Sequence, residues 1–433
     1  MVPVEFRWIG TLGLTSTAVY VGYLYYALRM RRWNPEDVIA EDQWKLMCVL
    51  IVILPLELCS LTVVAHGATT LALIVSLVGL GMSCSLAWSL YNHRGVSGVL
   101  LVLSGVTIAL LLAVTTLYGK SQVDLFAELT IAVRNLTHGM SPYLHDSPLL
   151  VVNPNLTSYV KIAYLAYGPG AVLLSVPGYL LGDIRISDLV GMVVLWASVA
   201  MLYRRVEGPQ WWGGRALLAL AVLSPLTLLM LQLAWVDTLS MMCFVLWLLL
   251  RTNRSLTFQV LAAIALGIFL EMKITNCIMV YGLFLLSRQM RRDIACGVAA
   301  AVVIALPFAV WSGPITFLRA LVGGPAGWGI RTDGWSIPAL VYSLFHVLLP
   351  PNLTLAAAAL PFAYLTVVRP RTGSEAALGT VFVVLAFFVL GKLAFPNYYF
   401  DVVILCIVGP CIAAEPILGE GMHELLAESP VSL

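Results

Sequence analysis

Charge is scarce in this chain. Of its 433 residues 11% are Asp, Glu, Lys or Arg, while 61% are apolar and the mean hydropathy is +0.95; an ordinary soluble domain carries roughly 25% charged residues. A soluble enzyme with a tail anchor is excluded as well. Apolar stretches of about 17 to 25 residues recur along the whole chain, each able to cross a hydrocarbon core of about 30 Å as a helix. Basic residues are not massed on any segment and the net charge is only +2, which argues against a nucleic-acid partner. The eight cysteines include no CxxC and no paired His/Cys spacing, so neither structural zinc nor a disulfide scaffold is expected. Ile9 to Leu28 is too long for a signal-peptide core and has no small-residue cleavage site, so it reads as a retained helix. No internal repeat is visible, which disfavours the transporter folds built from inverted repeats.

What is present is an all-α polytopic membrane pattern of about 13 transmembrane helices with interfacial or re-entrant helices on one side. Apolar runs fall at about 8–29, 46–65, 69–91, 97–118, 159–181, 186–203, 216–233, 238–250, 257–271, 273–287, 294–312, 337–349, 352–368, 376–393 and 399–415. Arginine clusters follow at Arg29/Arg31/Arg32, Arg94, Arg204/Arg205, Arg251/Arg254, Arg288/Arg291/Arg292 and Arg369/Arg371. If these are cytoplasmic, the fourth helix delivers the chain outside near Tyr118. The later clusters then stay inside only if 159–181 and 337–349 do not cross. Both contain or adjoin prolines, and Gly168-Pro169-Gly170 interrupts the first, leaving backbone groups that lipid cannot satisfy. Four stretches then share the outer face: loop 118–158, Trp235-Val236-Asp237, loop 312–336 and Phe395 to Phe400.

Within the first of these, Leu125, Phe126, Leu129, Ala132, Val133 and Leu136 form a helical stripe. The expectation is an amphipathic helix with its apolar face in the membrane and Asp124, Glu128, Arg134 and His138 on a solvated face. Gly139 and Pro142 should end it. A solvated face that merely anchors a loop would carry the same residues. His138, His145 and Asp146 lack a metal-ligand spacing.

Asp124, followed about fifteen residues later by Gly139 and then Ser141-Pro142-Tyr143, resembles the first external loop of GT-C-fold glycosyltransferases, in the mannosyltransferase-like branch. Tyr164-Leu165-Ala166-Tyr167-Gly168-Pro169 resembles that branch's Y-x-Y-x-P segment. Trp235-Val236-Asp237, Gly267 to Lys273, and Lys392 with Phe395-Pro396-Asn397-Tyr398-Tyr399 follow in family order. The resemblance spans about residues 97–413. It implies a GT-C-like core over 96–415, including loops 118–158 and 312–336, with accessory helices in 1–95 and a cytoplasmic tail at 416–433. It also implies transfer of a sugar, mannose in that branch, from a polyprenyl-phosphate donor in the membrane to a glycan, lipid or protein acceptor at the extracytoplasmic face. Two departures stand out. Three helices precede the core where the family has one, and the loop acid is a single Asp124 rather than a pair. No cofactor is assigned, and dependence on a divalent metal stays open.

Inverting transfer needs a base for the acceptor hydroxyl, and the resemblance gives that role to Asp124. The departing lipid phosphate needs a cation, for which Lys273, Arg331, Lys392 and Arg319 are the candidates. Glu128, His138, Tyr143, Tyr167, Asp237, Trp328, Trp335, Asn397 and Tyr398 are the candidates for sugar or acceptor contacts. Simpler explanations exist for several. Lys273 can pair with Glu271 or snorkel, Lys392 can snorkel, and Trp328 and Trp335 can belong to an interfacial aromatic belt. A transporter or lipid flippase is the alternative function, with Glu57, Glu271, Lys273 and Lys392 converging near mid-membrane.

Overall fold

The computed structural model describes residues 11, 14, 15, 18, 19 and 21, then 124–143, 165–207, 225–323, 330, 334–391 and 394–414. Most of the first four apolar runs, and Glu57, lie outside these residues. The described residues are helical with no strand: α1 Asp124–Thr137, α2 Pro169–Leu180, α3 Arg185–Glu207, α4 Pro225–Leu233, α5 Asp237–Leu250, α6 Leu256–Met272, α7 Asn276–Met279, α8 Tyr281–Leu286, α9 Arg288–Ser312, α10 Pro314–Leu318, a π-turn Arg319–Gly323, α11 Ile337–Phe345, α12 Pro351–Val368, α13 Gly373–Leu390 and α14 Pro396–Ala414. Among them α3, α9, α13 and α14 are long and apolar enough to cross a membrane. The expected total of about thirteen crossings reaches beyond the described residues.

Two boundaries differ from the sequence reading. In the run expected at 159–181, residues 165–168 are not helical and a helix starts at Pro169, where proline's missing N–H costs nothing. Its 12 residues span only about 18 Å at 1.5 Å per residue, too short to cross. The run expected at 273–287 is two short helices, α7 and α8, separated at Val280.

The helices share one sense of alternation. Arg205 at the end of α3 donates to Leu249 O at 2.8 Å, at the end of α5. Arg251, just beyond α5, donates to Asp293 in the first turns of α9 at 2.8 Å. Gly373 at the start of α13 lies against Ile412 and Ala413 at the end of α14. All the arginine clusters between 204 and 371 therefore sit at one end, the basic end. At the other end lie the starts of α3, α5 and α14 and the ends of α4, α6 and α9. Both ends of α2 belong there too. Its first turn meets Glu271 at the end of α6, and its last turn is tied to the start of α3 through Gly178 N donating to Ser187 Oγ at 2.8 Å. The parity argument from the arginines and the connectivity of α2 agree: this segment does not traverse the bundle.

α1 corrects an expectation. Leu125, Leu129, Ala132 and Val133 are buried against protein, with α2 packed on the helix, so the stripe faces the core instead of lipid. Glu128, expected on the solvated face, is buried with it. Gly139, at φ 72°, ends the helix as expected, and Met140 N returns to Asn135 O at 2.8 Å.

Candidate functional site

The four stretches assigned to one face by the arginine count meet through a continuous series of contacts. Ser141 Oγ and Ser312 Oγ are 2.6 Å apart, which joins the loop after α1 to the end of α9. Tyr143 stacks edge-on against Phe317 of α10, with ring centroids 4.9 Å apart. Trp335 N donates to Ala394 O at 2.6 Å, and Tyr399 OH donates to Trp335 O at 2.5 Å, tying the loop before α11 to the start of α14. From that start, Asn397 Nδ2 donates to Asp237 Oδ2 at 2.8 Å in the first turn of α5.

At the centre of this end lies a buried ion group. Ala234, in the left-handed region at φ 54°, reverses the chain after α4 and delivers Asp237 to the first turn of α5, where a carboxylate complements the helix dipole. Lys273 stands just past the end of α6 in extended backbone. Its Nζ donates to Asp237 Oδ1, lies 3.9 Å from Asp401 Oδ2, and sits 4.3 Å from the centroid of the Tyr398 ring. Asp237 and Asp401 are both fully buried. Nearby, Asn276 Nδ2 donates to Ser240 Oγ at 2.8 Å and to Phe269 O at 2.5 Å, bracing α7 against α5 and α6. The arrangement joins α5, α6 and α14 by charge where their apolar faces end.

Beside it, Glu271 faces the other way. Its Oε1 accepts from Gly170 N, and Gly168 N donates to Met272 O at 3.0 Å. The backbone approaches so closely that a side chain at Gly168 or Gly170 would collide with Glu271, which explains the glycines flanking Pro169. Tyr143 is buried and its hydroxyl donates to Tyr167 O at 2.9 Å. Burial pushes its phenol well above the ordinary range, and the Glu271 carboxylate works in the same direction, so Tyr143 remains a protonated donor.

Asp237, Lys273, Asn397 and Tyr398 thus come together, and Tyr143 and Tyr167 form a second pair beside Glu271. Asp124 opens α1. His138 is exposed and its Nδ1 meets Arg134 O at 2.7 Å, apart from both groups. Trp335 is buried at 2% exposure with its ring stacked on Tyr399, so it fastens the loop instead of presenting an open face. Arg319 is exposed on the π-turn, beside the exposed Ile315 and Leu318. Arg331, Lys392, Trp328, His145 and Asp146 lie outside the described residues. Lys273 does not pair with Glu271, as the simpler sequence explanation would have it. Asp401 was missed, although a lone acid inside an apolar run is itself the signal that could have found it. No group of three or more His, Cys, Asp or Glu able to hold a metal occurs among the described residues.

No protein-family model and no curated protein matches the chain. A crystal structure of ArnT from Cupriavidus metallidurans bound to undecaprenyl phosphate is similar at 16% sequence identity with a TM-score of 0.48, over 73% of this chain and 60% of that one.

Proposed function

We propose that the chain is an integral-membrane glycosyltransferase of GT-C type that transfers a sugar, mannose in the branch it resembles, from a polyprenyl-phosphate donor at the extracytoplasmic face, with inversion. The observation that carries this reading is the meeting of the four loop stretches at the end of the bundle opposite the arginines. Parts of the motifs that resemble the family touch one another: Tyr143 meets Tyr167, and Asp237 meets Lys273 and Asn397. A donor held in the bilayer needs a polar site at the rim of an apolar surface. Arg319 is suited to such a rim, being exposed close in the chain to the exposed Val310, Trp311, Ile315 and Leu318.

In the proposed reaction the acceptor hydroxyl oxygen attacks the anomeric carbon, the bond from that carbon to the lipid phosphate breaks, and polyprenyl phosphate departs. Asp124 takes the hydroxyl proton. Arg319, with Arg331 and Lys392, meets the charge that develops on the phosphate. Lys273 is better suited to hold the site than to bind phosphate, because Asp237 and Asp401 already surround its ammonium. Tyr143, Tyr167, Asp237, Asn397 and Tyr398 shape the acceptor side.

The test is transfer of labelled sugar from a polyprenyl phosphate by the purified protein. Asp124→Asn should lower turnover about a hundredfold or more. Unchanged turnover in that variant removes Asp124 from the mechanism. Vesicle translocation of a solute or lipid, with no transfer from any polyprenyl-phosphate sugar supplied, overturns the reaction class.

A further inference from the structure

The basic end carries a surface that the proposed reaction does not use. Arg204 and Arg205 close α3, Arg254 precedes α6, and Arg288, Arg291 and Arg292 occupy the first turns of α9; all six side chains are exposed. They form one patch, because Arg205 reaches Leu249 O and Thr252 Oγ1 beside the α5–α6 turn, and Arg251 of that turn reaches Asp293 of α9. Asp293 is already engaged by Arg251 and by Gln289 Nε2 at 2.8 Å. Arg204, Arg254, Arg288, Arg291 and Arg292 have no ion-pair partner among the described residues.

The three arginines at the start of α9 are also placed against the helix dipole. No acid accompanies them in the first turn, and cations at a helix N-terminus are electrostatically disfavoured. An external anion removes that conflict. Apolar side chains border the patch: Met201 is 47% exposed, Leu256 75%, Phe258 40% and Phe284 40%. An acidic protein segment would satisfy the guanidinium groups but not this apolar collar. A bilayer meets both, with acyl chains against the collar and headgroup phosphates on the arginine forks.

We infer that this arginine patch binds the phosphates of anionic phospholipid headgroups in the leaflet it faces, selecting them over zwitterionic lipids. The selection is independent of the proposed sugar transfer at the other end.

The experiment places the full chain in phosphatidylcholine vesicles carrying a trace of spin-labelled phosphatidylglycerol or spin-labelled phosphatidylcholine, and measures the fraction of each label immobilised at the protein. Phosphatidylglycerol should associate about fivefold more strongly, the factor expected for one arginine near an anionic surface. The preference should fall as salt is added. Replacing Arg288, Arg291 and Arg292 together by glutamine should bring the two lipids close to parity, whereas lysine at the same three positions should retain the preference in part. Equal association of both lipids with the unaltered protein overturns the inference and leaves an acidic protein segment as the partner for such a surface. An unchanged preference in the glutamine variant overturns it as well. If that variant fails to insert, the salt series on the unaltered protein decides, and a preference indifferent to salt is the overturning result.

Discussion

At one end of the bundle arginines stand in the open, and at the other a lysine is shut away with two aspartates. Arg204, Arg254, Arg288, Arg291 and Arg292 are exposed, whereas Lys273 and Asp237 keep side-chain exposures of 5% and 0%; the Arg251–Asp293 pair, at 9% and 17%, lies between the two extremes. The basic end leaves most of its charge accessible to water and headgroups, where a charge costs little and contributes little to stability. The loop end removes charge from water: Asp237 is compensated by the Lys273 ammonium and the Asn397 amide, while Asp401 lies 3.9 Å from the same ammonium with no hydrogen-bond partner among the described residues. That contrast distinguishes a surface that orients the chain from a group that fixes three helices relative to one another. The end proposed for the reaction needs the second, since its loops come from distant parts of the sequence.

The largest effect expected from breaking this contrast is at Lys273. Lys273→Met leaves Asp237 and Asp401 without their cation and should cost about 3–5 kcal/mol, read as a large drop in the thermal unfolding midpoint of the detergent-solubilised protein. Adding Asp237→Asn should recover part of the loss, because one fewer buried carboxylate is then uncompensated. A single variant as stable as the unaltered protein would show that the ion group does not join α5, α6 and α14.

Next comes the seat of α2 on Glu271. Gly170→Ala directs a methyl group at Glu271 Oε1 and, at 2.8 Å, at Ile268 Cγ2, an overpacking that should cost about 1–3 kcal/mol. Glu271→Ala should relieve much of it. Gly168→Ala should not be relieved in the same way, since the Glu271 backbone carbonyl as well as its carboxylate stands in the way. Unfolding midpoints of the four variants test the difference. Equal rescue at both positions would mean that the Glu271 side chain alone sets the approach of α2.

These two groups also mark what the sequence discloses. Arginine parity was sufficient to put loop 118–158, Asp237, loop 312–336 and Phe395 to Phe400 at one end, because the cost of moving charge across lipid is written in composition alone. Partner choice was not. Glu271 and Lys273 are neighbours in the chain, but residues two apart do not share a side, so one turns to α2 and the other to α5 and α14. Asp401 lies 128 positions from Lys273, and no local pattern links them. The stripe on α1 predicts a helix but not its neighbour, since lipid tails and a protein core offer an apolar face the same environment. Asp124 was legible only through resemblance to a family, because its spacing alone fits an anchoring helix equally well.

The smallest effect belongs to the basic end and tests the comparison from the other side. Asp293→Asn removes the carboxylate charge from Arg251, yet the guanidinium keeps its place over the Trp247 ring, 5.6 Å from the centroid, and the asparagine amide oxygen can still accept its hydrogen bond. The loss should be about 1–2 kcal/mol, since a neutral acceptor replaces a charged one, and, with Asp293 17% exposed, added salt should narrow it. The Lys273→Met loss should hardly respond to salt, because screening ions do not reach a side chain buried to that extent. Thermal unfolding at low and high ionic strength measures both. If Asp293→Asn proved as damaging as Lys273→Met and equally insensitive to salt, the two ends would not differ in how they carry charge, and the distinction between an orienting surface and a helix-fixing group would fall.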